Sequence, residues 1–258
     1  MTAFFPAELS ASIQLLLIVA AALTSVLTAS FGVGGGVLLL AILALILPPA
    51  AIIPVHGMVQ LGSNANRALM TWRHLDFKML LIFAPGAVMG AWIASVFLVQ
   101  LPLAWLQLII AGFILFLCWG PAIPSIGLGR LGTLATAIST SFLSMFAGAT
   151  GPLVMAFIKQ QQQGERFRTV ANFAAAMSLQ HLPKAVVFGG AGFLFQQWLG
   201  LILLMIAAGA VGTWLGLKIL GRMSDQRFAR IIHWILTLLA MRLLWDAYQA
   251  LTETAHTF

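Results

Sequence analysis

Two stretches decide how this chain folds: SFGVGGGVLLL at 30–40 and MFAGATGPLVM at 145–155. Each breaks an apolar run with glycine, which costs roughly 1 kcal/mol against alanine in a helix interior. Gly32, Gly34, Gly35 and Gly36 interrupt the run from Ala11 to Leu47, and Gly148 and Gly151 flank Ala149-Thr150 in the later stretch. A glycine lets the backbone take positive φ and come close to another group. A helix that restarts after such a break points unpaired N–H groups and a partial positive charge back at it. Two such restarts in one chain suggest two half-helix N-termini able to hold an anion.

The surroundings of these breaks are membrane. The 258 residues are 61% hydrophobic and 7% charged, against about 25% charged in a soluble domain. So little charge cannot cover a water-facing surface, and Ala11–Ser30, Leu80–Val99, Leu103–Trp119 and Leu199–Leu220 are near the roughly 20 residues that cross a bilayer. The runs do not alternate as barrel strands do. The fold class is therefore an all-α polytopic membrane protein. The first ten residues, MTAFFPAELS, lack a basic n-region, so the first span is expected to double as the insertion signal. The single Cys118 excludes an intramolecular disulfide and a multi-cysteine metal site. Neither a metal nor a cofactor is expected.

The order of features recurs. The first half reads as segment A (10–31), short segment B (36–47) ended by Pro48-Pro49, polar-studded segment C (51–70), D (77–100) and E (103–119). In the second half the break at 145–155 is followed by VANFAAAMSLQHLPKAVVF (170–188), then GAVGTWLG (209–216) against GAVMGAW (86–92), then a last span. The breaks align at an offset of about 115 residues and the Gly-Ala-Val motifs at 123. The expected organisation is a first repeat at 1–120, a linker at 121–129 and a second repeat at 130–258, with 8–10 membrane segments. Segment B′, Pro152 to Ile158 before the polar run KQQQQGERFR, is too short to cross as a helix. Both breaks are thus expected in broken or re-entrant helices, which survive at membrane depth only inside protein or beside a watery cavity.

Charge orients the chain. Arg67, Arg73 and Lys78 lie between C and D, Arg130 between the halves, and Lys159, Arg166 and Arg168 between B′ and C′. Lys218, Arg222, Arg227 and Arg230 lie between D′ and E′, while the B–C, D–E and C′–D′ loops carry no Lys or Arg. By the positive-inside rule the basic loops are cytoplasmic. The C helices then run in opposite directions, an inverted repeat of the kind many secondary transporters use. The net charge of +7 belongs to these loops, so no nucleic-acid partner is expected.

The candidate site follows from the breaks and two polar stripes. Gly34, Gly35, Gly36, Thr150 and Gly151 mark the breaks. His56, Gln60, Asn64 and Arg67 fall on one helical stripe, and Asn172, Gln180, His181 and Lys184 on a second. At an offset of 116, His56 meets Asn172 and Asn64 meets Gln180, with Arg67 one residue short of Lys184. Polar groups in a membrane helix face the bundle interior or water, although interhelical hydrogen bonding is an alternative use for each and snorkelling one for Arg67. Gly32 and Gly36 also form a GxxxG pair, and Gly86/Gly90 and Gly212/Gly216 are expected to serve helix packing. Of the acidic residues only Asp246 lies inside a span, where Arg242 can pair with it. The midplane is neutral to positive, which favours an anion. If transport is proton-coupled, His56 and His181 are the carriers.

The runs GVGGGVLLLAILALILPP, PVHGMVQLGSNANRA and FAGATGPLVMAFI resemble the TauE/SafE family, known as sulfite exporters or the toluene-sulfonate uptake permease family. The resemblance covers about residues 12–248, and Ala149-Thr150-Gly151 stands where the family usually has a run of glycines. It implies two repeated halves and the movement of sulfur-containing anions: sulfite, sulfoacetate or other organosulfonates. The function expected is a secondary transporter of such an anion, held near the midplane between two broken-helix N-termini; the alternative is an anion channel for small oxyanions. An enzyme is not expected. The expected partners are the small anionic substrate and the lipid bilayer, with room for a homodimer, and the expected location is the bacterial cytoplasmic (inner) membrane.

Overall fold

The computed structural model describes residues 4–32, 34–97, 101–121, 129–162, 165–220 and 225–255, with backbone only at 225–229 and 253–255. Most of the expected 121–129 linker and the side chains of Arg222 and Arg227 lie outside the described residues. The chain is all-helical, with no strand among the described residues. Its helices are α1 (Ala11–Phe31), α2 (Gly35–Ile46), α3 (Pro49–Met70), α4 (Phe77–Val96), α5 (Leu103–Trp119), α6 (Arg130–Ala147), α7 (Gly151–Gln161), α8 (Arg166–Gly190), α9 (Leu199–Ile219) and α10 (Asp225–Ala255). Four stretches are long and apolar enough to cross a membrane: α1, α4, Phe195–Ile219 and Arg230–Thr252. The protein is a polytopic membrane protein.

The ends of these helices are written locally. Ser10 caps α1 and Asp76 caps α4, each side chain accepting from the backbone N–H three residues on. α1 ends at Gly32 (φ 87) and α6 at Gly148 (φ 79), where the cap N–H returns to Thr28 O and Ser144 O. Both are left-handed positions that a side chain would strain. The expected stop at Pro48-Pro49 falls between helices: α2 ends at Ile46 and Pro49 opens α3, where its missing N–H does no harm. The short segment B′ needs a correction. α7 runs to Gln161, three residues into the polar run, because Lys and Gln are good helix formers. At 11 residues it spans about 16 Å, still half of a bilayer.

Packing crosses between the two expected halves. α1 lies along α9 and α4 lies along α6, so the first helix of each half packs on the fourth helix of the other. Phe5 meets Gly200 at one end of the α1–α9 pair, and Ser30 Oγ donates to Gly216 O (3.2 Å) toward the other, so these helices run parallel. Gly86 against Ala137, Gly90 against Ile138 and Phe97 against Phe142 likewise make α4 and α6 parallel. The glycines Gly86, Gly90, Gly212 and Gly216 serve these close helix contacts, as expected.

At the centre α3 packs on α8, and here the directions oppose. His56 and His181 rings lie 6.0 Å apart, while Asn172, nine residues earlier on α8, donates to His74 O (3.1 Å) beyond the end of α3. Exposed Leu15, Leu23, Leu81, Trp92, Leu203, Trp214, Leu238 and Trp245 coat α1, α4, α9 and α10. The polar-studded α3 and α8 are the wrapped, interior pair.

Candidate substrate site

The two breaks and the two polar stripes meet at one small cavity. The first break contributes Thr28, Gly34, Gly36 and Val37; the second contributes Ala149, Gly151 and Pro152. α3 adds His56, Gln60 and Asn64, and α8 adds Phe173, Met177 and His181. The free space is about 20 Å³, room for about one water. The α2 and α7 N-termini therefore open onto one point, and no Asp or Glu lines it.

Its polar groups are partly spoken for. His56 Nε2 lies 2.9 Å from Gly36 O, so that nitrogen carries the proton and donates. Its Nδ1 has no hydrogen-bond partner, nor has either ring nitrogen of His181. His56 is 1% exposed and His181 0%. Three buried nitrogens without partners are unusual, and here they belong to two side chains that line the same space. Gly36 is where a side chain would intrude: a Cβ there would sit 3.3 Å from Gln60 Oε1. Gly32 and Gly36 do not form a packing pair, since Gly32 caps α1 and Gly36 faces the cavity.

Other expected site residues stand behind the lining. Asn64 Nδ2 donates to Gln60 O (2.8 Å) and Oε1 (3.1 Å), and its Oδ1 accepts from Arg67 Nη1 (2.8 Å). Arg67, 2% exposed, is not a snorkeller; its Nη2 reaches Thr213 Oγ1 (3.5 Å) on α9. Lys184 is fully buried, its stem against Gly57 and its Nζ donating to Gly148 O (2.8 Å). Neither cation meets a carboxylate among the described residues. Gln180 Nε2 donates to Thr150 Oγ1 (2.6 Å), which in turn donates to Thr140 O. Gly35 packs on Thr24 and Thr28 of α1. Asn172 does not line the cavity: its Oδ1 accepts from Asp76 N (2.7 Å) and its Nδ2 donates to His74 O, tying the α3–α4 turn to α8.

The register between the stripes needs a correction. The cavity-lining positions His56, Gln60 and Asn64 correspond to Phe173, Met177 and His181, each pair 117 residues apart. The same step relates Arg67 to Lys184, the two buried cations. The offset of 116 pairs His56 with Asn172, the neighbour of Phe173, and the Asn172 side chain turns to the α3–α4 turn. Phe173 and Met177 carry no polar signal, but their spacing of four and eight residues before His181 places them on its face.

A second, open cavity of about 360 Å³ lies beside the first. Ser30, Phe31 and Gly32 line it from the first break, Met155 and Lys159 from α7, and Arg166, Thr169 and Val170 from α8. Among the described residues no group of three or more His, Cys, Asp or Glu could hold a metal ion.

The description "Sulfite exporter TauE/SafE" belongs to a family model that matches residues 17–243, nearly the whole chain. No curated protein and no solved structure matches significantly. The chain belongs to the TauE/SafE sulfite exporter family, a family of membrane transporters of sulfur anions such as sulfite.

Proposed function

We propose that this protein is a secondary transporter of a small sulfur-containing anion, sulfite or an organosulfonate such as sulfoacetate. The observation that carries this reading is the convergence of two half-helix N-termini on one carboxylate-free cavity lined by buried, unpartnered imidazole nitrogens. Half-helix N-termini favour negative charge, and imidazole N–H donors add direction. Gly34, Gly36, His56, Gln60, Asn64, Gly151 and His181 contact the anion in this reading. Gly35, Thr150, Gln180, Arg67 and Lys184 hold those groups in place and add positive charge. Asn172 fixes the loop and does not bind. The exchange of first and fourth helices between halves, with α3 and α8 antiparallel, supports an inverted repeat with the site near its pseudo-axis. The basic loops support a bacterial cytoplasmic membrane orientation with those loops inside.

A cavity with room for one water fits a carrier that closes around its cargo more readily than an anion channel. Neutral His181 offers one donor and one acceptor, and protonated His181 offers two donors, so a proton and an anion entering together would satisfy both ring nitrogens. The test is flux from proteoliposomes loaded with sulfite, sulfoacetate or a longer sulfonate. Efflux above protein-free liposomes, accelerated by a pH gradient and lost in His181→Leu, is expected. No flux of any of the three anions overturns the proposal.

A further inference from the structure

The two left-handed cap glycines meet side chains of the opposite repeat. A Cβ at Gly32 would lie 3.0 Å from Met155 Cε on α7, and one at Gly148 would lie 2.7 Å from Leu40 Cδ2 on α2. Gly32 and Gly148 each follow the last residue of α1 and of α6, and Leu40 and Met155 are the sixth residue of α2 and the fifth of α7. The two contacts are thus counterparts to within one residue. Met155 and Leu40 are 2% and 1% exposed, so both contacts are closed.

The two closures are not equally strong. The open cavity with Lys159 and Arg166 reaches Gly32 and Met155. The central cavity begins on the other side of the same elements, at Gly34 and at Gly151 and Pro152. α8 follows the same route, with Thr169 and Val170 in the open cavity and Phe173 in the central one. Met155, a flexible thioether that lines the open cavity, and Phe173, which lines the central one, belong to one apolar cluster. At the opposite contact Lys184 Nζ donates to the carbonyl of Gly148 itself (2.8 Å), adding a polar tie to the apolar one.

We propose that Met155 on Gly32 and Leu40 on Gly148 are the two gates of the transport cavity, with the Lys159/Arg166 cavity as an anion-collecting vestibule outside the Met155 gate. Lys184 acts as a positioning residue that holds the Leu40 gate shut while the Met155 gate can open. This rests on the transport reading of the central cavity.

The experiment uses the full-length chain with its one cysteine removed (Cys118→Ser) and Val37→Cys placed in the central cavity. Modification of that introduced thiol is followed with membrane-impermeant anionic and cationic methanethiosulfonate reagents in right-side-out and inverted vesicles. Met155→Ala raises the anionic rate at least ten-fold from the side bearing Lys159 and Arg166 only, whereas Met155→Leu keeps the slow rate. Lys159→Gln lowers the anionic rate several-fold and does not lower the cationic rate. Leu40→Ala raises the rate from the opposite side, and more so when combined with Lys184→Met. An unchanged rate in Met155→Ala, or a rise from the opposite side, overturns the gate assignment. Labelling does not depend on the cargo. Gated labelling without sulfur-anion flux removes the transport reading alone, and flux with ungated labelling removes the gates alone.

Discussion

Asn64 shows what one residue is asked to do. It lines the cavity, donates twice to Gln60 and accepts from the buried guanidinium of Arg67. Losing it leaves Arg67 Nη1 without an acceptor and only the 3.5 Å contact to Thr213 for the charge. An unsatisfied buried charged donor costs about 3 kcal/mol, whereas replacing both partners by apolar groups of similar shape is close to neutral. Asn64→Leu is therefore expected to lower the apparent Tm in detergent by several degrees, and Asn64→Leu/Arg67→Met to recover most of the loss. A single variant as stable as the double would show that Arg67 does not depend on Asn64. The sequence exposes Asn64 and Arg67 as a stripe, because polar residues on a membrane helix have few other reasons to recur at three and four residues. It leaves Arg67 undecided between interior and interface, since snorkelling has the same spacing. It hides Phe173 and Met177, because an apolar residue in a membrane helix looks alike facing lipid or an internal cavity.

The short helices α2 and α7 bring their N-termini to the central cavity, and they are unequal donors. At the start of α2 the N–H of Leu38 bonds Gly34 O, and the N–H groups of Gly35, Gly36 and Val37 have no backbone partner among the described residues. In α7 Pro152 has no N–H, and Leu153 N already bonds Thr150 O. Gly151 is then the only donor of that first turn. Pro152→Ala adds one N–H at a cavity-lining position. A hydrogen bond to a charged acceptor is worth about 1.5–3 kcal/mol, so sulfite is expected to bind about ten-fold tighter by isothermal titration calorimetry. Unchanged or weaker binding would place the anion away from α7. The breaks are legible in the sequence because glycine in an apolar run is costly and both copies fall at one offset. The end of α7 is not, because polarity marks where a segment leaves the membrane and does not mark where its helix stops. The 117-residue register is obscured by similar polar residues at neighbouring positions of both stripes, and only the shared cavity separates them.

On the scale of the whole molecule, charge and contact give the same arrangement by independent routes. The α3–α4 turn with Arg73 and the start of α8 with Arg166 and Arg168 touch: His74 stacks on Phe167 at 5.4 Å, and Asn172 binds the turn at His74–Asp76. These two basic segments share one face whatever the membrane does. Phe5 against Gly200 brings the start of α1 to the start of α9, at the opposite end of α9 from Lys218 and Leu220. Positive-inside bias is legible from composition alone. The exchange of α1 and α4 between halves is not, because a repeat alignment says which helices correspond and says nothing of which ones touch. The consequence is a fixed sidedness. In the Cys118→Ser background, Leu75→Cys and Glu165→Cys are expected to react with an impermeant maleimide only in inverted vesicles, and Ser12→Cys and Ala191→Cys only in right-side-out vesicles. Leu75 and Glu165 reacting from opposite faces would contradict the His74–Phe167 contact itself. All four reacting with inside and outside exchanged would leave the fold intact and reverse the membrane orientation. The two failures separate because the first tests how α3 and α8 pack and the second tests how the charged loops meet the bilayer.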